Sequence, residues 1–264
     1  MKYSLFILLR NILIVYLLLC GFLYVFQESL IFFPQKLEKH YQFDFDQTFD
    51  EIYVQTEDDV LLHSLLFKVN NPRGVIFYLH GNAGSLLNWS SVAKTYNDLY
   101  YDVYLLDYRG YGKSAGAISG EEQFYRDIQT AYDTLRNKYN EDKIVVLGYS
   151  IGTGPATKLA ADNRPALLIL QAPYYSLTDL MRNTYPFIPT LLLKYKFPTY
   201  QFIQEVDSPI VVFHGTDDDI IYHASSLKLK EENQTIEVIL LEGQGHNGIT
   251  QNTVYQEELK KILP

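Results

Sequence analysis

The sequence predicts an α/β domain, a mostly parallel sheet of eight strands with helices on both faces, preceded by one apolar N-terminal helix. Three observations carry this. From residue 51 onward, apolar runs of strand length alternate with amphipathic stretches of helix length. Several strand runs, such as Val75-Ile76-Phe77-Tyr78-Leu79 and Ile210-Val211-Val212-Phe213, are apolar without interruption, as strands covered by helices on both faces are. One such run, Lys143-Ile144-Val145-Val146-Leu147, ends in Gly148-Tyr149-Ser150-Ile151-Gly152 and passes at once into the helical stretch Thr153 to Ala161.

At the N-terminus, residues Leu5 to Phe26 are almost all apolar, interrupted by Arg10 and Asn11. Ile12 to Phe26 alone is about 15 residues long; with Leu5 to Leu9 the run reaches roughly 22, enough to cross a bilayer, with Arg10 able to snorkel. A cleaved secretory signal would need small residues before the cut, and no A-x-A stands there. A lipoprotein signal would need a small residue before Cys20, where Leu19 stands instead. A retained single-pass signal-anchor needs neither and is the favoured reading. Lys2 and Arg10 then place the N-terminus in the cytoplasm and the rest of the chain on the non-cytoplasmic side. Gln27 to Pro34 is amphipathic and aromatic, suited to the membrane interface. Residues 1–34 are therefore taken as anchor and interfacial segment. Residues 35–50, which lack Gly and Ser, are an irregular connector.

The domain proper is expected over 51–264. Strands are predicted at 51–56, 61–69, 74–80, 102–107, 143–149, 166–171, 209–214 and 236–241. Helices are predicted at 85–99, 119–139, 152–163, 223–232 and 252–263. The first two strands form a hairpin through Glu57-Asp58-Asp59; the strict alternation afterwards implies right-handed crossovers. Residues 174–208 break the rhythm. They are too long for one helical crossover and unusually apolar, so they form either a short cap lining a substrate pocket or a helix with long loops.

A net charge of −9 argues against a nucleic-acid partner. A single cysteine excludes an internal disulfide framework. His40, His63, His80, His214, His223 and His246 are scattered with no metal-ligand spacing, so no metal is expected and no cofactor is implied.

Glycine at both ends of G-x-S-x-G permits a turn tight enough to project Ser150 above the sheet, the context of a nucleophile elbow. A serine hydroxyl needs a base to take its proton, an acid to orient that base, and two N–H donors for the oxyanion. The base candidate is His246, on the glycine-rich loop Gly243-Gln244-Gly245-His246-Asn247-Gly248 after the last predicted strand. Its rival, His223, opens a helix and belongs to the surface. The acid is one of Asp217, Asp218 and Asp219, just past the strand Ile210 to Phe213; spacing does not choose among them. The main-chain N–H groups of Asn82, in Leu79-His80-Gly81-Asn82-Ala83-Gly84, and of Ile151 are the oxyanion-hole candidates. His80 and His214, each before a glycine at a strand end, are read as structural.

Taken together, His80-Gly81-Asn82-Ala83-Gly84, Asp107-Tyr108-Arg109-Gly110-Tyr111-Gly112-Lys113-Ser114, Gly148-Tyr149-Ser150-Ile151-Gly152, His214-Gly215-Thr216-Asp217-Asp218 and Gly245-His246 resemble the α/β-hydrolase superfamily over residues 51–264. The likeness is to its single-pass, membrane-anchored serine hydrolases, similar to the serine aminopeptidase group, and extends to Phe26–Pro34. It implies an α/β-hydrolase fold and a triad in the order Ser150, Asp218, His246, the acid being the fifth residue of the H-G-x-x-D turn. It also implies that Asp107 and Arg109 shape a loop near the pocket. The implied activity is that of a serine esterase or thioesterase acting on an apolar, lipid-like acyl substrate through an acyl-serine. Related members resemble depalmitoylating thioesterases, others peptidases and general esterases, so a serine peptidase is the alternative, as is a membrane-tethered binding protein without turnover.

Overall fold

The computed structural model describes residues 2–264. Its central sheet has eight strands, β1 (Phe49–Gln55), β2 (Leu61–Phe67), β3 (Gly74–Leu79), β4 (Tyr101–Leu106), β5 (Ile144–Tyr149), β6 (Leu167–Gln171), β7 (Ile210–Gly215) and β8 (Glu237–Leu241), in the spatial order β8-β7-β6-β5-β3-β4-β2-β1. β2 runs antiparallel to both neighbours, β1 and β4; every other pairing is parallel. This is the α/β-hydrolase arrangement of a mostly parallel sheet. Each strand lies within two residues of its predicted bounds.

The helices are α1 (Lys2–Val25), α2 (Gln27–Ile31), α3 (Leu86–Trp89), α4 (Ala93–Asn97), α5 (Glu121–Arg136), α6 (Thr153–Asp162), α7 (Leu177–Thr184), α8 (Thr199–Phe202), α9 (Ala224–Glu232) and α10 (Thr253–Ile262). Period-two alternation splits each central strand between two cores. In β3, Val75, Phe77 and Leu79 join Phe124, Ile128 and Ala156 of α5 and α6, while Ile76 and Tyr78 face Tyr96 of α4 and Tyr255 of α10. Every residue of β3 to β7 is buried. At about 1.5–3 kcal/mol per large apolar side chain, this dominates the favourable side of folding.

The helix predicted over 85–99 is instead broken into α3, a 3-10 turn (Ser90–Val92) and α4. Serine explains the break: Ser91 Oγ donates back to the Asn88 carbonyl at 3.1 Å, competing with the helical ladder. Between β6 and β7 lie α7, α8 and short 3-10 turns. Ser176 caps α7 by accepting from Asp179 N–H at 3.0 Å.

Residues 35–48, beyond α2, form no helix or strand apart from the single bridge of Lys36 to Gly112, while the two residues before them are paired to the body of the fold. Phe33–Pro34 pairs in parallel with Ala83–Gly84. Gln35 N–H then donates to the Gly84 carbonyl at 2.8 Å, and Gly112 N–H to the Gln35 carbonyl at 2.9 Å. The N-terminal segment is thus laced onto the loops after β3 and β4. α1 itself is almost wholly exposed, and Tyr3–Val25 is long and apolar enough to cross a membrane.

Candidate active site

β5 ends at Tyr149, and the chain turns at Ser150 with φ +53°. That left-handed conformation costs a residue with a side chain roughly 1–3 kcal/mol. It persists because the turn leaves no room for alternatives. A Cβ on Gly152 would collide with the Leu79 carbonyl, and one on Gly148 with the Gly152 carbonyl and Ala156. Ser150 is thereby presented at the floor of a cavity.

The three aspartates after β7 separate by burial. Asp217 and Asp219 are exposed; Asp218 is buried. Asp218 Oδ1 accepts from Ile220 N–H at 2.9 Å and Ile221 N–H at 2.8 Å, and Oδ2 lies 2.7 Å from His246 Nδ1 and 3.2 Å from His214 Nε2. Burial pushes the Asp218 carboxyl up, but the hydrogen bonds from His214, His246 and Ile221 outweigh it and hold the group well below the usual carboxylate range. Asp218 is therefore an acceptor only at neutral pH, and the shared proton sits on His246 Nδ1. That leaves Nε2, 2.9 Å from Ser150 Oγ, to accept the serine hydroxyl proton. Ser150, His246 and Asp218 thus form one continuous hydrogen-bonded chain, drawn from three loops.

Several contacts hold the histidine loop, two of them next to the site. Gly215 packs so closely beneath it that a Cβ there would strike the Gln244 carbonyl. Tyr149 donates from its hydroxyl to the His246 carbonyl at 2.8 Å.

Asn82 and Ile151 line the cavity beside Ser150. With every peptide among the described residues trans, an N–H points opposite to the carbonyl of the residue before it. The Gly81 carbonyl accepts from His80 Nδ1 at 2.7 Å, and the Ser150 carbonyl from Thr153 Oγ1 at 2.7 Å. Both carbonyls are tied down, which fixes the aim of the Asn82 and Ile151 N–H groups. Burial pushes the His80 imidazolium pKa down despite Asp107 nearby, so the ring is neutral with its proton on Nδ1. Tyr111 donates to the Asn82 carbonyl at 2.6 Å and Tyr174 to the Ile151 carbonyl at 3.0 Å. Asp107 Oδ1 accepts from Leu86 N–H at 3.0 Å, anchoring the helix after this loop. Arg109 reaches away to Asp127 and Asp58. Such an arrangement can deprotonate a serine hydroxyl, hold a charged imidazole, and stabilise an oxyanion.

The cavity above Ser150 encloses about 550 Å³ and is mostly apolar. Leu180, Met181 and Leu192 come from the segment between β6 and β7. Leu23, Gln27 and Leu30 come from α1 and α2, a wall that no sequence pattern announces. Nor does spacing mark Tyr149, His80 or His214 as supports of the site. The only sequence signal for the two histidines is that each precedes a glycine at a strand end facing the cleft.

A family described as "Serine aminopeptidase, S33" matches residues 70–202. Alpha/beta hydrolase domain-containing protein 17B of Xenopus tropicalis is 34% identical over 197 residues, spanning 73% of this chain and 67% of the relative. The human protein of that name is 33% identical over the same spans. Among solved structures, the Pyrococcus furiosus esterase Pf2001 superposes with a TM-score of 0.69 at 18% identity, covering 87% of this chain and 98% of its own. The ferulic acid-bound Est1E of Butyrivibrio proteoclasticus gives a TM-score of 0.66 at 18% identity, with 80% and 97% covered. These two are similar in fold.

Proposed function

The chain belongs to the α/β-hydrolase superfamily, in the family of the S33 serine aminopeptidases, and from that premise we propose that it is a membrane-anchored serine hydrolase of apolar acyl esters or thioesters. Ser150 Oγ attacks the acyl carbonyl carbon as His246 Nε2 takes its proton. The oxyanion is held by the N–H groups of Asn82 and Ile151, and Asp218 stabilises the imidazolium. His246 returns the proton to the leaving alkoxide or thiolate, leaving an acyl-serine. Water, deprotonated by the same nitrogen, then attacks the acyl carbon; the bond from that carbon to Ser150 Oγ breaks, His246 gives the proton back to Oγ, and the acid leaves.

The observation that carries this reading is the Asp218–His246–Ser150 hydrogen-bonded chain, 2.7 and 2.9 Å, at the base of an apolar cavity. A cavity of that character favours a greasy acyl group over a charged peptide. The apolar stretch Tyr3–Val25 supports a single transmembrane anchor, with residues 1–34 as anchor and interfacial segment and 51–264, capped by about 174–208, as the catalytic domain. The charges at Lys2 and Arg10 favour a non-cytoplasmic catalytic domain. A reporter fused after Pro264 that is active only in the cytoplasm contradicts that orientation.

An acyl ester panel on wild type and Ser150→Ala tests the chemistry. The proposal requires hydrolysis by wild type, preference for octanoyl over acetyl, and loss of both in the variant. Turnover that survives Ser150→Ala contradicts it.

A further inference from the structure

The N-terminal segment does more than a tether requires. A tether needs an apolar span and nothing specific at its end. Here Gln27, at the start of α2, is 5% exposed. A buried amide is costly unless bonded. Its Nε2 donates to the Leu192 carbonyl at 2.9 Å, and its Oε1 accepts from Lys194 N–H at 2.7 Å. One side chain thus pairs with the main chain of two cap residues as a strand would. Glu28 adds an ion pair to Lys194 Nζ at 3.1 Å, and Tyr16 donates to the Phe187 carbonyl at 2.9 Å. Beside this clamp, Leu23, Leu30 and Ile31 line the cavity that holds Ser150.

We infer that the end of the anchor is a wall of the acyl site: Leu23, Leu30 and Ile31 determine which acyl-chain lengths fit, and Gln27 positions them by bridging to the cap at Leu192 and Lys194. This rests on the hydrolase reading above. Leu23 belongs to the apolar stretch Tyr3–Val25, so the acyl cavity is continuous with the end of the span. The substrate class that fits is a long acyl chain drawn from the bilayer, which reaches the cavity along the anchor without crossing water. Gln27 is a positioning residue; it acts through the placement of the helix, not on the reacting atoms.

The test uses the full chain in phospholipid nanodiscs with p-nitrophenyl acetate and dodecanoate, reading the dodecanoyl-to-acetyl ratio of kcat/KM. Leu30→Trp fills the cavity and should lower the ratio about tenfold, as loss of fit in an apolar pocket does, with most of the change in KM for the long chain. Gln27→Ala should lower it severalfold; Gln27→Glu should not rescue it, because a carboxylate cannot donate to the Leu192 carbonyl. Leu18→Trp, on an exposed face of α1 that does not line the cavity, should keep the wild-type ratio. A circular-dichroism melt reports folding, and if Leu30→Trp loses the wild-type transition, Leu30→Ala takes its place with a shifted chain-length optimum. An active wild type whose ratio is unmoved in the Gln27 and Leu30 variants overturns the wall and leaves the hydrolase reading standing. A wild type inactive on every ester overturns both.

Discussion

Tyr149 donates its phenolic hydrogen to the main-chain carbonyl of His246 at 2.8 Å, so the residue before the candidate nucleophile holds the loop of the candidate base. Tyr149 and His246 are 97 residues apart in the chain, and this bond ties together the two loops that bring His246 Nε2 to 2.9 Å from Ser150 Oγ. Tyr149→Phe should therefore cost about 1 kcal/mol of stability, from the unpaired carbonyl, and lower kcat by roughly fivefold or more. Steady-state kinetics together with a thermal melt check this; unchanged kcat in the stable variant contradicts it.

The three adjacent aspartates should separate sharply. Only Asp218 is buried against His246 Nδ1, so Asp218→Asn should cost about a thousandfold or more in kcat by imposing the wrong histidine tautomer. Asp217→Asn and Asp219→Asn, both exposed, should stay within about threefold of wild type, as surface substitutions do. Kinetics on the three variants in parallel decide the assignment; a large loss at Asp217 or Asp219 moves the acid.

The turn around Ser150 should tolerate no side chain at Gly148 or Gly152. Gly152→Ala drives a methyl into the Leu79 and His80 carbonyls at the buried end of β3, main-chain atoms that cannot swing aside, and should cost about 2 kcal/mol or more, lowering the melting temperature by several degrees. A variant that melts with wild type contradicts the tightness ascribed to this bend.

Acid should weaken the fold in two steps. Burial keeps His80 neutral when folded, while the unfolded chain takes up its proton below about pH 6.5; the stability associated with it is intact above that value and declines as the pH falls through it toward the lower folded pKa. Asp218 has a depressed folded pKa, so its contribution is present above about pH 3.9 and is lost as the pH falls from there toward that lower value. Melting temperatures from pH 7.5 to 5 should fall less steeply in His80→Gln than in wild type. Equal slopes contradict the role given to burial of His80.

Much of the fold is legible in the sequence because every residue of β3 to β7 is covered on both faces and so reads as an unbroken apolar run. Where local polar competition decides, legibility falls: the Ser91 hydroxyl competes with a helical ladder that periodicity alone extends across 85–99. Within the candidate site, residue types and spacing bring out Ser150 and His246, but three equivalent carboxylates differ only in burial, a tertiary property. The wall built by α1 and α2 is invisible for the same reason. Gln27 meets Leu192 across 165 residues, and no period or motif encodes that contact.

Covalent labelling of Ser150 is the most direct measure of whether this bend carries an activated hydroxyl. Wild type should form a one-to-one fluorophosphonate adduct, mapped by mass spectrometry to Ser150, at a rate reduced about a thousandfold in His246→Ala. A folded wild type that stays unlabelled, or a His246→Ala variant that labels just as fast, contradicts the account.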